Sequence, residues 1–409
     1  MTKTKKYNKK YNKKKHKKES KKKTKSLRLT KKEIIKKVNK NLQCNFLNID
    51  MNIKKVGEGV SNYVVSGCLD NNEICKNKVA FRIMGISTQY PNNDQHPVNF
   101  EVLLYHKLNR LVDKDITPHI IYLYKSIVCN FDDVLGNYQQ DISHRIETEI
   151  KKGNLEDKVN ILMLEFGSMG TINSFVKNRL SKLIQFKILF FQVISMLVTT
   201  QYHIPNFIHG DIHCNNIIIQ KELHGYSLEE LRSGIPKYIR YRLFEKDFYI
   251  PWTGFSARVF DFDLSRCDEL KNAKMNEDYV KIHGIAEDFN PVFDYHLFLN
   301  SLLNDKDKYV QPNIPKEVFD FYNEQIPRKY QGWKNEYLKT ARLTNYKQTG
   351  DINDTNLVPD DIRTPTDVLL NHPFFDVFRK KPKKFKIIKE YNSKIPHEKK
   401  IQNRKDMFK

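Results

Sequence analysis

The sequence lacks the usual marks of secreted, metal-binding and membrane proteins. Its six cysteines form no Cys-x-x-Cys pair and no metal-ligand spacing, so we expect reduced thiols in an intracellular protein. The N-terminus has no apolar segment of the kind found in signal peptides. The longest apolar stretch, residues 183–198, is interrupted by Gln185, Lys187 and Gln192, so we expect no transmembrane segment.

Acidic residues are scarce at both ends of the chain. Residues 1–40 contain 20 Lys and Arg against 2 Asp and Glu, and residues 379–409 contain 13 against 3. The whole chain carries +23, which leaves −5 for residues 41–378. A lysine-rich segment of low complexity cannot bury enough surface to fold alone, so we predict a disordered N-terminal tail (1–40) and a basic C-terminal tail (379–409). Such tails are either simply solvated or bind a polyanion, meaning nucleic acid or an anionic surface.

A polar loop between two apolar runs, residues 207–219 (FIHGDIHCNNIII), combines a carboxylate, an amide and an imidazole at fixed spacing. The pattern is His209-x-Asp211-x4-Asn216, and short β-branched runs around such a loop indicate buried strand segments. A second carboxylate, Asp261, follows an apolar strand 45 positions after Asn216, in the run RVFDFDLS. Carboxylate and amide oxygens are the ligands that a hard cation such as Mg²⁺ prefers. An ordinary polar turn is the alternative for the first loop alone.

The N-terminal half offers a matching set of elements. Gly57-x-Gly59 lies between two predicted strands, where backbone N–H groups can approach phosphate oxygens closely. The run KVAFRIMG (78–85) predicts an edge-like strand that contains Arg82, and the helix after it contains Glu101. A buried strand then ends in a glycine-bracketed linker (160–170). Read without the other motifs, Arg82 and Glu101 are surface charges and the glycines form a hairpin turn.

Near the C-terminus, the run RTPTDVLLNHPFF (363–375) closely resembles the last C-lobe helix of eukaryotic-type protein kinases. Together with the loop, the second carboxylate and the N-terminal elements, it makes residues 53–378 resemble a divergent serine/threonine protein kinase of the kind found in large DNA viruses. The resemblance implies an α+β, two-lobed kinase-like fold for residues 41–378. The expected β-rich N-lobe covers about 50–166 and the mainly helical C-lobe about 167–378, with insertions at about 130–158 and 220–251.

The resemblance also implies roles for individual residues. Asp211 would be the catalytic base and His213 would stand beside the transferring phosphate, while Asn216 and Asp261 would bind Mg²⁺. Asp294 would brace the catalytic loop from below. The residues expected to surround ATP are Gly57, Gly59, Val64, Ala80, Arg82, Glu101, Leu164, Glu165 and Gly167.

Four positions depart from the kinase pattern. Arg82 replaces the lysine that contacts the α- and β-phosphates, and a planar guanidinium is not interchangeable with an ammonium. Gly210 replaces the arginine that senses activation-loop phosphorylation, so we expect no control by that route. His213 replaces the loop lysine, and Asp263 replaces the glycine of the Asp-Phe-Gly motif. The filled metal and base positions favour an active enzyme, whereas the altered cations favour a non-catalytic binding protein.

We therefore expect a kinase that uses ATP and Mg²⁺ and transfers phosphate to a Ser or Thr hydroxyl of a protein substrate, with activity weakened by Arg82. Two alternatives stay open: a non-catalytic kinase-fold binding module, and a small-molecule kinase of the aminoglycoside or choline type, which HGDIH and DFD also resemble. The expected location is the cytoplasm or nucleus, or the virion for a viral protein.

Overall fold

The structure is a computed structural model of the chain, and it describes residues 29–395 with gaps. The segments outside the description are residues 1–28, 42, 46–52, 59–61, 70–74, 76, 92, 136–138, 223–233, 277–288, 304–313, 327–330, 332–362 and 396–409.

The N-terminal half is built around a five-stranded antiparallel sheet. Its strands lie in the order β1 (Lys54–Glu58), β2 (Asn62–Cys68), β3 (Lys78–Ser87), β5 (Leu155–Glu165) and β4 (Leu123–Asn130). Helix α2 follows β3 and buries one face, whose nine buried residues include Phe100, Leu104 and Leu108. Their spacing of three and four positions is that of an amphipathic helix packed on a core. The elements of this half are α1 Lys31–Asn41, β1 Lys54–Glu58, β2 Asn62–Cys68, β3 Lys78–Ser87, α2 Pro97–Asp113, β4 Leu123–Asn130, α3 Phe131–Leu135, α4 Gln139–Lys151 and β5 Leu155–Glu165.

Strand β3 is central in this sheet, so the prediction of an edge-like strand for residues 78–85 is wrong. It pairs with β2 on one side and with β5 on the other. Val79, Phe81 and Ile83 are fully buried in one cluster, so Ala80 and Arg82, which alternate with them, lie on the opposite face of the sheet. A strand buried on both sides gives a more continuous apolar run than an edge strand, and the run from Ile83 to Ile86 has that character.

Part of the predicted N-terminal tail is folded. Helix α1 lies against β4, with Ile34 and Val38 buried in the same cluster as the sheet. Lys31 Nζ forms an ion pair with Asp113 at 3.4 Å and lies 4.0 Å from the ring centre of Tyr122. The structure therefore differs from the predicted boundary at residue 40, because apolar residues at helical spacing follow the lysine-rich run. Residues 1–28, the rest of that tail, lie outside the described part of the chain.

Four of the six cysteines form disulfides, so the prediction of reduced thiols is wrong for those four. Cys44 is bonded to Cys129 at the end of β4, and Cys68 is bonded to Cys75 across the loop between β2 and β3. The partners in the first bond are 85 positions apart, a pairing that cysteine spacing alone does not reveal. The intracellular location relied partly on reduced thiols and stays a prediction.

The predicted insertion at 130–158 is largely helical. Its two helices, α3 and α4, connect β4 to β5, and Phe131, Val134 and Ile146 are buried against the outer face of the sheet. The polar composition of this segment corresponds to the exposed faces of these helices. The insertion therefore enlarges the N-terminal half as a packed unit.

The C-terminal half is organised around helix α6 (Leu183–His203), which is buried on nearly all of its sides and not only along one face. Among the described residues, α6 is also the one helix long and apolar enough to span a membrane, but 78% of its apolar window is buried inside the fold, as in a core helix. The elements of this half are α5 Ile172–Arg179, α6 Leu183–His203, β6 Ile217–Lys221, β7 Lys237–Leu243, β8 Lys246–Pro251, β9 Phe255–Val259, α7 Phe293–Leu303, α8 Lys316–Gln325, α9 Pro365–Asn371, α10 Asp376–Arg379 and β10 Lys386–Asn392.

The C-terminal segment after residue 385 is also folded, although the sequence assigned it to a basic tail. Strand β10 runs parallel to β7, which forms a hairpin with β8 inside the second predicted insertion. Tyr391 is buried beside Tyr241, with ring centres 5.2 Å apart. His203, at the end of α6, contacts the carbonyl oxygen of Ser393 at 2.6 Å, and Lys389 pairs with Asp115 at 2.7 Å. This segment therefore joins the insertion, α6 and the loop before β4.

Removal of residues 386–409 is expected to lower the free energy of unfolding by about 3–6 kcal/mol. The truncation removes the buried side chains of Tyr391 and Ile395, each worth about 1.5–3 kcal/mol, and exposes Tyr241. The measurement is urea unfolding. A truncation after residue 395 keeps β10 and should leave the midpoint almost unchanged. Equal midpoints for both truncations would mean that β10 contributes nothing to stability.

Candidate active site

Five of the predicted ATP-contacting residues lie on one face of the N-terminal sheet. Val64 is directly opposite Gly57 in β1 and Arg82 in β3, and Ala80 is opposite Leu164 in β5. Residues directly opposite each other in a sheet share a face, as do residues two apart in one strand. The geometry therefore brings these residues together above the cleft. Gly59 lies outside the described residues.

The linker after β5 is held close to the start of the C-terminal half. Glu165 donates its backbone N–H to the carbonyl oxygen of Tyr122 at 2.9 Å. A Cβ at Gly167 would overlap the side chain of Ile218 in β6, so only glycine allows this approach. Ile218 therefore forms the lower wall of a slot below the sheet. Ile218 was not among the predicted site residues, although its place two residues after Asn216 is a usable signal.

Arg82 joins two carboxylates at the centre of the cleft. Its Nη1 donates to Glu101 Oε1 at 2.7 Å, and its Nη2 forms an ion pair with Asp261 Oδ1 at 2.8 Å. The arginine side chain is 6% exposed and the Glu101 side chain 1%, so their interaction is shielded from solvent. The interpretation of Arg82 and Glu101 as surface charges is therefore wrong.

Burial and charge act in opposite directions on this pair. Burial lowers the pKa of the Arg82 guanidinium, but Asp261 and Glu101 outweigh that effect and raise it above its ordinary value. Burial raises the pKa of Glu101, and the charge of Arg82 opposes the rise. The charge of Arg82 therefore favours the ionised form of Glu101, against the effect of burial. Loss of the arginine would leave a buried carboxyl group that favours its protonated form.

The Asp-Phe-Asp segment combines a strained backbone at Asp261 with close packing at Phe262. Asp261 has a φ of 69°, in the left-handed region that costs a non-glycine residue about 1–2 kcal/mol. Phe262 is fully buried and packs edge-on against Tyr105 of α2, with centroids 5.0 Å apart. Its backbone N–H donates to Glu101 Oε1 at 3.2 Å. The position of Asp261 is thus tied to α2 through Phe262 and Glu101.

The catalytic-loop motif forms one hydrogen-bonded unit. Asn216 Nδ2 donates to the backbone oxygen of Asp211 at 2.9 Å and to its Oδ2 at 3.0 Å. His213 Nε2 lies 3.4 Å from the same Oδ2, and both side chains are 24% exposed. Asp211 is therefore oriented by the loop itself and remains accessible from the cleft, as a base that accepts a proton from a bound hydroxyl requires.

Asp294 of α7 supports this loop from beneath, as the resemblance implied. Its two carboxylate oxygens accept the backbone N–H groups of His209 and Gly210, at 2.7 and 3.0 Å. Burial raises the pKa of Asp294, and these donors together with the charge of His209 lower it. His209 Nε2 lies 3.0 Å from the carbonyl oxygen of Phe260, which links the loop to the Asp-Phe-Asp segment.

Gly210 is required by the backbone at its position. Its φ is +81°, and a Cβ there would overlap the carbonyl oxygen of Leu264. No L side chain fits at this position without moving one of the two chain segments. The close approach also holds Leu264 and its neighbours beside the catalytic loop.

We expect Gly210→Ala to destabilise the protein by about 2 kcal/mol or more. The loss combines left-handed strain, about 1–2 kcal/mol, with the clash against Leu264. Gly254→Ala is the matched control, because Gly254 has a φ of +79° and nothing within 4 Å of the added methyl group. Chemical unfolding measures the loss of stability in both variants. The loss in Gly254→Ala reports the backbone strain alone, and the additional loss in Gly210→Ala reports the clash with Leu264. Equal losses would show that the contact with Leu264 is unimportant.

Asp263 and Lys274 form an ion pair that the sequence analysis missed. Lys274 Nζ lies 2.7 Å from Asp263 Oδ2, on a single 3-10 turn (Ala273–Met275). Asn272 fixes this turn by donating to the backbone oxygens of Asp263 and Ser265. The lysine offsets the charge that Asp263 adds beside Asp261. Only the polar character of this segment was visible in the sequence.

A cavity of about 800 Å³ opens next to these groups, and its lining includes Arg82, Glu101, Asp263 and Lys274. It extends past the start of α2 toward Arg145 of the inserted helix α4. The adenine-side residues of the sheet face are not part of its lining. The cavity thus adjoins the phosphate end of the predicted ATP site.

The two predicted metal ligands, Asn216 and Asp261, lie on segments that a backbone hydrogen bond joins. Phe260, directly before Asp261, donates its backbone N–H to the backbone oxygen of Asn216 at 3.1 Å. Within the described part of the chain, no group of three or more His, Cys, Asp or Glu side chains converges. One carboxylate and one amide fit Mg²⁺, which is usually bound through one or two carboxylates together with substrate phosphates.

Comparison with known proteins identifies two viral relatives. "Putative serine/threonine-protein kinase R400" of Acanthamoeba polyphaga mimivirus is 22% identical over 368 residues, covering 84% of this chain and 73% of the relative. R301 of the same virus, which has the same description, is 21% identical over 409 residues, covering 84% of this chain and 95% of the relative. No protein-family model matches the chain.

Among solved structures, a chain in the CAK complex from Chaetomium thermophilum, bound to ATP-γ-S, matches with a TM-score of 0.28. The match is 17% identical and covers 52% of this chain and 46% of that chain. The two viral relatives confirm the predicted resemblance to divergent protein kinases of large DNA viruses. The α+β kinase-like fold is also confirmed, with a five-stranded antiparallel sheet in one half and a mainly helical second half. The chain is a kinase-like protein.

Proposed function

We propose that this protein is an ATP-dependent phosphotransferase that transfers the γ-phosphate to a Ser or Thr hydroxyl of a protein substrate. The observation that carries the proposal is the connected arrangement of Arg82, Glu101 and Asp261 beside the loop of Asp211 and Asn216. The two viral relatives, which share the kinase description, support it.

In the proposed mechanism, the adenine lies in the slot between the sheet face and Ile218. The backbone of Glu165 and Gly167 pairs with it, and Val64, Ala80 and Leu164 cover its faces. Glu101 holds Arg82 at the inner end of the slot, where the guanidinium donates to the α- and β-phosphate oxygens. Gly57, which has no Cβ to obstruct a phosphate, lets the backbone N–H groups of β1 approach it from above.

The hydroxyl of the protein substrate reaches the cleft beside Asp211. As the oxygen attacks the γ-phosphorus in line, its proton passes to an Asp211 carboxylate oxygen, and the bond to the β-phosphate oxygen breaks. Asn216 keeps that carboxylate in place. His213 lies beside it and would donate to the transferring phosphate in place of the usual lysine. Asp294 keeps the loop rigid by binding its backbone N–H groups.

Asn216 and Asp261 would hold Mg²⁺ through their side-chain oxygens. When bound, the ion would supply positive charge that offsets the negative charge developing during phosphate transfer. Asp261 is paired with Arg82, so it would share its carboxylate between the ion and the guanidinium.

One observation favours the second candidate, a non-catalytic nucleotide-binding protein. The ion pair between Arg82 and Asp261 engages a predicted metal ligand with a group larger than lysine. The small-molecule kinase receives less support, because Asp294 braces the loop and the run 363–375 resembles the last C-lobe helix of protein kinases, a feature not expected in that class.

The deciding experiment is transfer of radiolabelled γ-phosphate from Mg-ATP to a general acceptor protein, with thermal shift measured in parallel. Labelled protein from the wild type and none from Asp211→Asn would establish the proposed function. A thermal shift without transfer would favour the non-catalytic candidate. Labelled amino-alcohol products would favour the small-molecule kinase.

Two further parts of the proposal come from composition. We propose that residues 1–28 attract polyanions through their lysines. The intracellular or virion location likewise remains a proposal.

A further inference from the structure

The C-terminal half carries a basic loop that the proposed phosphotransfer does not use. The basic loop is residues 380–386, with the sequence Lys-Lys-Pro-Lys-Lys-Phe-Lys, and no acidic residue occurs from Val377 to Lys389. All five of its lysines are exposed. Lys381, Lys383 and Lys384 make no ion pair within the described part of the chain.

The basic loop is anchored at both ends, unlike a free tail. Before it, Arg379 donates to the backbone oxygens of Leu369 and His372, at 2.5 and 2.6 Å. After it, the backbone N–H of Lys386 donates to the oxygen of Pro236 at 2.9 Å, where β10 joins β7. The chain from Lys380 to Lys386 therefore spans about 20 Å at most. Because both ends are fixed, binding of a ligand to these lysines costs less conformational entropy than binding to a disordered tail.

Aromatic side chains lie directly beside these lysines. The Phe385 ring lies 5.9 Å from that of Tyr238 and 5.6 Å from that of Tyr249, at interplanar angles of 80° and 75°. Phe385 and Tyr238 are half-buried, so part of each ring meets solvent. Arg240 and Arg242 follow Tyr238 on the outer face of β7 at alternate positions, since Ile239, Tyr241 and Leu243 face inward. Both arginines pair with Asp247 of β8, and Arg240 also pairs with Glu390, so the unpaired positive charge of this surface comes from the basic loop.

We propose that the basic loop and the adjoining outer face of β7 and β8 bind single-stranded nucleic acid. The exposed lysines match the negative phosphates, and the rings of Phe385 and Tyr238 offer faces on which unpaired bases stack. Charge alone would suit any polyanion; the half-exposed rings set among the lysines favour one with planar bases. The site is separate from the cleft and does not depend on phosphotransfer.

The first test measures binding of the full-length protein to a fluorescent 20-nucleotide single-stranded RNA over a range of salt concentrations. Replacing Lys381, Lys383 and Lys384 by Gln should reduce the slope of log K against log salt by about 2, since each phosphate contact on a single strand contributes about 0.7. The control is the same change at three exposed lysines elsewhere, Lys114, Lys158 and Lys177, which should leave the slope unchanged.

The second test distinguishes stacking of nucleic-acid bases on Phe385 from attraction of phosphate charge by the lysines. Phe385→Leu keeps an apolar side chain but removes the ring, and should weaken RNA binding about fivefold or more while leaving polyphosphate binding unchanged. Ultraviolet crosslinking of the full-length protein to the RNA should label Tyr238 or Phe385. Crosslinks confined to residues 1–28, equal slopes for the two lysine triples, or equal effects of Phe385→Leu on RNA and polyphosphate would each overturn the proposal. Binding to phosphatidylserine vesicles but not to RNA would overturn it in favour of a membrane surface.

Discussion

Asp261→Ala is expected to lower phosphate transfer about 1,000-fold or more while leaving the fold intact. Its carboxylate is the one proposed metal ligand that carries charge, and the loss of a preorganised charge at a phosphoryl-transfer site costs several kcal/mol of barrier. The fold should survive because the Asp261 side chain is 27% exposed and Arg82 keeps its bond to Glu101. The measurements are single-turnover transfer, circular dichroism, and ATP affinity with and without Mg²⁺.

Asp261→Asn is the matched variant, since it keeps the size and one oxygen but removes the charge. We expect it to fold like the wild type, to lose the Mg²⁺ dependence of ATP affinity, and to transfer phosphate slowly. If both variants keep wild-type transfer with unchanged circular dichroism, the assignment of Asp261 as a metal ligand is wrong. If Asp261→Ala alone loses structure, the left-handed φ of 69° at this residue depends on the carboxylate.

The central motifs could be predicted from the sequence because each chemical group lies within a short, ordered pattern. Asp211 and Asn216 are five positions apart, and the structure joins them by a hydrogen bond. Glu101 could be placed because α2 has a strong helical period and follows β3 directly. The brace at Asp294 followed from the kinase resemblance alone, since 83 positions separate it from Asp211.

The missed features depend on contacts between distant segments or on backbone geometry. Strand β10 pairs with β7 across about 150 positions, and its lysines gave it the composition of a tail. The need for glycine at position 210 arises from the oxygen of Leu264, which no local pattern reveals. Lys274 follows Asp263 by 11 positions in a polar segment, where many side chains could have been its partner.

Arg82→Ala is expected to reduce both stability and activity, because it leaves Glu101 buried without its partner. Breaking a buried ion pair by removing one side typically costs about 3–5 kcal/mol. Burial already raises the pKa of Glu101, so in this variant the carboxyl group should be protonated at neutral pH. The variant Arg82→Ala/Glu101→Gln removes that carboxyl group, and should recover part of the stability without recovering transfer. Urea unfolding of the two single variants and the double variant measures this coupling.

For catalysis, we expect the wild type to be a slow kinase, Arg82→Ala to be about 100-fold slower with weaker ATP binding, and Arg82→Lys to keep or raise activity. The guanidinium reaches both Glu101 and Asp261, so it can hold the triphosphate slightly displaced, and about 1 Å of misplacement costs on the order of 100-fold in rate. Lysine is shorter and carries one cationic nitrogen, which would release Asp261 while keeping Glu101 paired. The measurement is steady-state transfer for all three proteins with ATP affinity determined separately. If Arg82→Ala equals the wild type in both quantities, Arg82 has no part in ATP binding. If all three proteins bind ATP and none transfers phosphate, the protein is a non-catalytic nucleotide-binding module.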